Sequence, residues 1–179
     1  IKVDDRVIAG NKTPQDSMIR LMKGPKGTKV KITVNRDGVL IPFDIVRDKI
    51  PVHCVDAAFM IDDTTGYIKL SKFTRTTYKE FTEAAGKLME QGMKRLIFDL
   101  RDNTGGYFDQ SWKLANEFLG RGQLVVYMQG RNRPRDEFDA DGRGKLQDIE
   151  LSVLINEGSA SSSEIFAGAI QDNDRGVII

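Results

Sequence analysis

The chain has one cysteine, one histidine and one tryptophan in 179 residues. A single cysteine, Cys54, excludes an internal disulfide. With His53 as the only imidazole, a zinc site built from several His or Cys ligands is close to excluded, and a histidine-based serine triad would have to use that one residue. No apolar run approaches the roughly 20 residues a membrane-spanning helix needs, and no signal-peptide pattern is present. Charge of one sign is lacking too: 27 Lys and Arg against 26 Asp and Glu leave a net charge of +1, so no strong field favours nucleic acid or an anionic membrane. The densest basic run, Arg131-Asn132-Arg133-Pro134-Arg135, is answered at once by Asp136, Glu137, Asp139 and Asp141. Without interleaved aromatics it reads as a solvated loop and not as a nucleic-acid surface.

What is present is an ordinary globular composition, 40% hydrophobic and 30% charged, with two textures along the chain. Residues 1–48 are β-rich. Lys29 to Arg36 and Val39 to Val46 alternate on either side of Asp37-Gly38, a strong hairpin signal. Before them, Thr13-Pro14 opens a short helix with Met18, Leu21 and Met22 on its apolar face, closed by Gly24-Pro25. Ile1 to Ile8, with Asp4-Asp5 at its middle, predicts a tight strand-turn-strand.

From residue 49 to 179 strands alternate with longer helices. Ile50 to Val55, following Pro51, predicts a strand that carries His53, where a sheet histidine and a catalytic base are both open readings. Gly66 to Leu70 is a strand and Thr76 to Gln91 a helix closed by Gly92. Lys94 to Leu100 is a strand of the nearly continuous apolar kind buried on both faces. Phe108 to Leu119 is a helix, Gln123 to Met128 and Ile149 to Ile155 are strands, and Ser161 to Asp172 is a final helix. This alternation predicts an α/β layer architecture with parallel pairing. The chain begins at Ile1 without a methionine and stops in the strand-like Gly176-Val177-Ile178-Ile179, so a fragment cut at both ends is expected.

Two stretches carry the chemistry. Gly158-Ser159-Ala160-Ser161-Ser162-Ser163-Glu164 sits at a strand-to-helix turn, which places Ser161 at a helix N-terminus. There, free backbone N–H groups and the positive end of the helix dipole favour a developing oxyanion. The same residues also spell a capping box, with the Ser161 hydroxyl accepting from the N3 amide and Glu164 reaching back. The second stretch is Asp99-Leu100-Arg101-Asp102-Asn103-Thr104-Gly105-Gly106, at the C-terminal end of the buried strand. Its paired glycines let backbone N–H groups face the crevice where open α/β sheets bind ligands, or simply form a turn with an Asx-type bond.

Asp-Leu-Arg-x-Asn-x-Gly-Gly, followed 55 residues after Gly106 by Ser161 in a serine-rich turn ending in Glu164-Ile165, resembles the C-terminal processing (tail-specific) peptidases. Phe166-Ala167-Gly168-Ala169-Ile170-Gln171-Asp172 continues the likeness, which covers almost the entire chain. Thr104 stands where proline is usual and Ser162 where alanine is usual. Neither change removes a needed group.

The resemblance implies a partial PDZ domain over residues 1–48, lacking its N-terminal part, and a ClpP- or crotonase-like α/β serine peptidase core over 49–179, lacking its C-terminal part. It implies Ser161 as nucleophile, with oxyanion donors from the backbone of Ser162 and of Gly105 or Gly106. Glu164, Asp99, Arg101 and Asn103 would give structural support. The base would be a lysine in a Gly-Lys-Gly motif about twenty-five residues after the serine, in the manner of Ser-Lys hydrolases, beyond Ile179, so that the 179 residues alone would be inert. No cofactor or metal is implied. The expected partners are protein or peptide substrates with free C-termini, and the location of bacterial relatives implies the periplasm or cell envelope. A non-catalytic binding or scaffold relative of the same fold, and a crotonase-like acyl-thioester enzyme, are the alternative readings.

Overall fold

The computed structural model describes residues 2–4, 6–8, 13–48 and 53–179. The chain divides into two compact units, Ile1–Val52 and His53–Ile179.

In the first unit, β1 (Lys2–Val3) and β2 (Arg6–Val7) are followed by helix α1 (Gln15–Met22) and by β3 (Lys29–Arg36) and β4 (Val39–Val46). The strands form an antiparallel sheet in the order β2-β1-β3-β4. The β3–β4 turn has positive φ at both central residues, 51° at Asp37 and 86° at Gly38, which matches the right-handed twist of the paired strands. Val3, Ile8 and Val30 are buried, with Met18, Leu21 and Ile32 packed against them. The last carbonyls of α1 would be left without partners. Arg47 supplies them, donating to Leu21 O at 3.1 Å and Met22 O at 2.8 Å. Of the strand-turn-strand expected at the start, Ile1 and Asp5 lie outside the described residues.

The second unit runs β5 (Val55–Met60), β6 (Thr65–Leu70), α2 (Thr77–Glu90), β7 (Arg95–Asp99), α3 (Phe108–Asn116), β8 (Leu124–Gly130), β9 (Arg133–Asp139), β10 (Glu150–Leu154), α4 (Ser162–Asp172) and β11 (Val177–Ile178). Its main sheet has the order β11-β10-β7-β6-β5. Neighbours from β11 to β6 are parallel, and β5 is antiparallel to β6. The fold is therefore mixed α/β.

Alternation along the strands puts Ile68, Leu70, Leu96, Phe98, Leu151 and Val153 in the core. Phe81 on α2, Phe98 on β7, Phe118 just after α3 and Phe166 on α4 close a ring of edge-to-face aromatics, with centroids 5.0 to 6.0 Å apart. Such pairs add to the burial of their area, and here they fix three helices against the sheet. Phe166 in particular anchors the helix that Ser161 heads.

Three expectations need correction. The strand 123–128 does not join the parallel sheet; β8 pairs antiparallel with β9 in a separate two-stranded ribbon. The basic and acidic run over 131–139, expected as a loop, supplies β9. Its alternating charges face water and pair along the strand, Arg133 with Asp136 and Arg135 with Glu137, while Phe138 packs edge-on against Phe108 at 5.1 Å and Trp112 Nε1 donates to Asp139 O. The strand expected over 50–55 begins only at Val55; residues 50–52 lie outside the described residues and His53 precedes the strand.

Candidate active site

Parallel strands deliver their exits to one edge of the sheet. Leu70, Asp99 and Leu154 end β6, β7 and β10 side by side, and the three loops that follow them are tied together by side chains with few alternatives. Ser159 Oγ donates to Leu100 O at 2.8 Å, Asp102 N–H donates to Asn156 Oδ1 at 2.8 Å, and Asn156 Nδ2 donates to Asp102 Oδ1 at 3.0 Å. Asn103 is wholly buried. Its Nδ2 reaches Leu70 O at 2.8 Å, its Oδ1 accepts from Gly105 N–H at 2.9 Å, and its carbonyl accepts from Ala160 N–H and Ser163 Oγ. Buried polar groups must find partners; the bond to Gly105 shapes the loop itself, and the others stitch it to its neighbours.

The glycine pair completes the stitching. Phe73 N–H donates to Gly105 O, and Tyr107 N–H donates to Phe73 O, both at 3.0 Å. Ser162 Oγ donates to Gly106 O at 3.1 Å. Gly105 has φ 89°, and a Cβ there would meet Ala160 O at 2.6 Å and the Cβ of Ser161 at 2.8 Å. Gly106 has φ 149°, and a Cβ there would collide with Phe73 O. Only glycine fits either position.

Ser161 is exposed at the head of α4 with φ 56° and ψ −113°. A non-glycine residue held there is strained by an amount on the order of 1–3 kcal/mol and persists only where its surroundings impose it. Ser161 and Glu164 form the two halves of a capping box: the Ser161 N–H donates to Glu164 Oε2 at 2.6 Å, and the serine side chain faces the Glu164 backbone amide. The helix thus uses the serine oxygen only as an acceptor, and the hydroxyl proton is donated to no group among the described residues. The N–H groups of Ser162 and Gly106 have no acceptor among the described residues, while that of Gly105 is spent on Asn103.

Asp99 and Arg101 lie beside this centre. Asp99 is fully buried and accepts from Tyr67 Oη at 2.6 Å, from the Arg101 N–H at 2.9 Å and from Arg101 Nη2 at 2.6 Å. Burial alone would raise its pKa. The bonds from Arg101 and Tyr67 outweigh burial and hold the carboxyl down at about 2. The same contact raises the Arg101 pKa, through its bond to Asp99 first. Tyr67 is raised by burial and then by Asp99. The pair fixes the exit of β7, and with it the path of the Asn103–Gly106 segment.

His53 Nδ1 lies 3.7 Å from Glu80 Oε2, not at the serine. Among the described residues no lysine ammonium hydrogen-bonds Ser161, and no cluster of His, Cys, Asp and Glu is arranged to hold a metal ion. Phe73, Asn156 and Tyr67 belong to the assembly although the sequence did not single them out. Asn156-x-Gly158 is an Asx-turn signature that could have marked Asn156. The other two act through tertiary contacts that leave no local pattern.

Residues 64–179 match the family model described as peptidase family S41. The chain belongs to that family. It is 36% identical over 174 residues to the carboxy-terminal processing protease CtpA of Bacillus subtilis, covering 97% of this chain and 36% of that protein. The chain spans about a third of the length of the curated relatives it matches. Among solved structures it superposes on the photosystem II D1 C-terminal processing protease with a TM-score of 0.66 at 26% identity, covering 99% of this chain and 49% of that one. No helix of the described residues is long and apolar enough to cross a membrane.

Proposed function

We propose that the parent protein is a serine endopeptidase that cuts protein substrates near their C-termini, with Ser161 as its nucleophile. The reading is supported most by one observation: Ser161 is held at φ 56°, its hydroxyl proton without an acceptor among the described residues, where two loops meet and leave two backbone N–H groups without acceptors. A cap alone needs no such strain, and neither does a binding surface.

In this reading Ser161 Oγ attacks the scissile carbonyl carbon. Its proton passes to the neutral amine of a lysine in the Gly-Lys-Gly motif that the resemblance implies. The negative charge that develops on the carbonyl oxygen is stabilised by the Ser162 and Gly106 N–H groups, with the α4 dipole behind them. Gly105 acts by its lack of a side chain. The lysine then protonates the leaving amine, and water resolves the acyl-enzyme. Glu164 and the Asp99–Arg101 pair hold the two loops in register, with Asn103 between them. None of the lysines in the 179 residues matches the motif, so this segment alone is inert in the proposal.

The first unit is assigned the role of a PDZ-type module that recognises the substrate's C-terminus, by adding it as a strand. The location proposed is the periplasm or cell envelope. The test is cleavage of an unfolded protein substrate by the full-length parent and by its Ser161→Ala variant. Loss of cleavage in a folded variant is expected; equal cleavage by both would remove Ser161 from the mechanism.

A further inference from the structure

A groove of about 360 Å³ runs between α4 and β8. Its near end is Glu164, whose carboxylate holds the Ser161 N–H. Its far end is closed by Asn173, whose Nδ2 crosses to Leu124 O at 2.9 Å. The groove begins one helical turn from the serine and is crossed at its far end by this bond. Leu124 and Val126 form one wall and Ile165 the other, with Gly168 between the turns of α4. A Cβ on Gly168 would meet nothing within 4 Å, so the missing side chain opens space that the fold does not otherwise need. A helix-interior glycine is unfavourable relative to alanine, and packing does not require this one. The wall opposite α4 is a strand that pairs with no strand but β9 among the described residues, and its other edge faces α4, where Leu124 O accepts from Asn173.

We propose that this groove is a substrate subsite, in which a polypeptide lies extended along the edge of β8 that faces α4 and inserts one apolar side chain over Gly168, adjacent to the bond that Ser161 attacks. This rests on the peptidase reading above and adds to it the place and chemistry of selection. A strand beside β8 satisfies main-chain groups on both sides, and apolar walls take an aliphatic or aromatic side chain. Glu164 and Asp172 stand at the rim, so acidic residues at the neighbouring substrate positions are disfavoured. Gly168 is the specificity-determining position, because any side chain there shortens the pocket.

The experiment uses the full-length parent and peptides identical except at one residue, Leu, Phe, Gly or Asp, placed in turn on each side of the cleaved bond. In Gly168→Leu the ratio of kcat/KM for the Leu peptide to that for the Gly peptide is expected to fall at least tenfold at one of these positions. Gly168→Ala is expected to give a smaller fall in the same direction and serves if the leucine variant misfolds. Labelling by a small fluorophosphonate is followed in parallel. Ratios unchanged at every position, in variants that still label, overturn the groove assignment and leave the peptidase reading standing. Failure of the unmodified parent to label overturns the Ser161 reading and the groove with it.

Discussion

Gly105 and Ser161, 56 residues apart in the chain, approach so closely that a methyl group on the glycine would stand 2.8 Å from the serine Cβ. Two loops from different strands thus share one small volume, and the serine's backbone is bent around the space the glycine leaves. Gly105→Ala adds that methyl at φ 89°. The expected cost is about 1–3 kcal/mol of stability, read from urea midpoints of the parent protein, together with loss of Ser161 reactivity as the loops are pushed apart.

Strain at Ser161 makes a prediction of unusual sign. Glycine is at ease at φ 56°, and replacing a serine cap by glycine costs only a few tenths of a kcal/mol. Ser161→Gly is therefore expected to raise stability by about 1 kcal/mol while abolishing activity. Ser161→Ala, which keeps the strain, is expected to remove activity without that gain. Urea denaturation of the two variants side by side measures the difference.

Asp99 sets an acid limit. Its folded pKa of about 2 lies below the unfolded carboxylate value, so its contribution is complete above the unfolded pKa and is lost as pH falls from about 4 through 2. The size is about 2 kcal/mol. Unfolding measured from pH 6 down to 2.5 should lose most of this increment in the parent protein, and the pH slope should flatten in Asp99→Asn, which is destabilised at neutral pH.

Arg175 is held by carbonyls and forms no ion pair among the described residues. Its guanidinium donates to Phe118 O and Leu146 O at 2.8 Å, and to Ile149 O, with the Phe118 ring 5.9 Å below it. Burial lowers its pKa, and the charge of Asp148 opposes that. Three carbonyls that end α3 and enter β10 depend on this one side chain. Arg175→Met is expected to lose about 2–4 kcal/mol, with little dependence on salt because the partners are dipoles and not ions.

The sequence made the elements of the second unit readable because periodicity was strong. The helix expected over 76–91 is Thr77–Glu90, that over 161–172 is Ser162–Asp172, and the strand over 94–100 is Arg95–Asp99. The β3–β4 hairpin was legible from Asp37-Gly38 set between two alternating runs. The β8–β9 ribbon was not, because charges on a solvated two-stranded ribbon look locally like a loop, and β8 carries the same apolar alternation as a sheet strand. At the site, the motifs brought Ser161 and the glycine pair into view. Which N–H of that pair stays available was hidden, since it depends on Asn103 turning its amide onto Gly105, a tertiary choice. The backbone strain at Ser161 was hidden for the same reason: the serine's identity predicts a relaxed cap, and only the fit of Gly105 against it explains why the chain bends otherwise.

The proposed nucleophile, Ser161, is tested by mass-spectrometric mapping of the adduct that a serine-directed fluorophosphonate forms on the full-length protein. A single adduct on Ser161 is expected, absent after denaturation before labelling. An adduct on another serine, or none on a folded protein that cleaves its substrate, removes Ser161 from the mechanism.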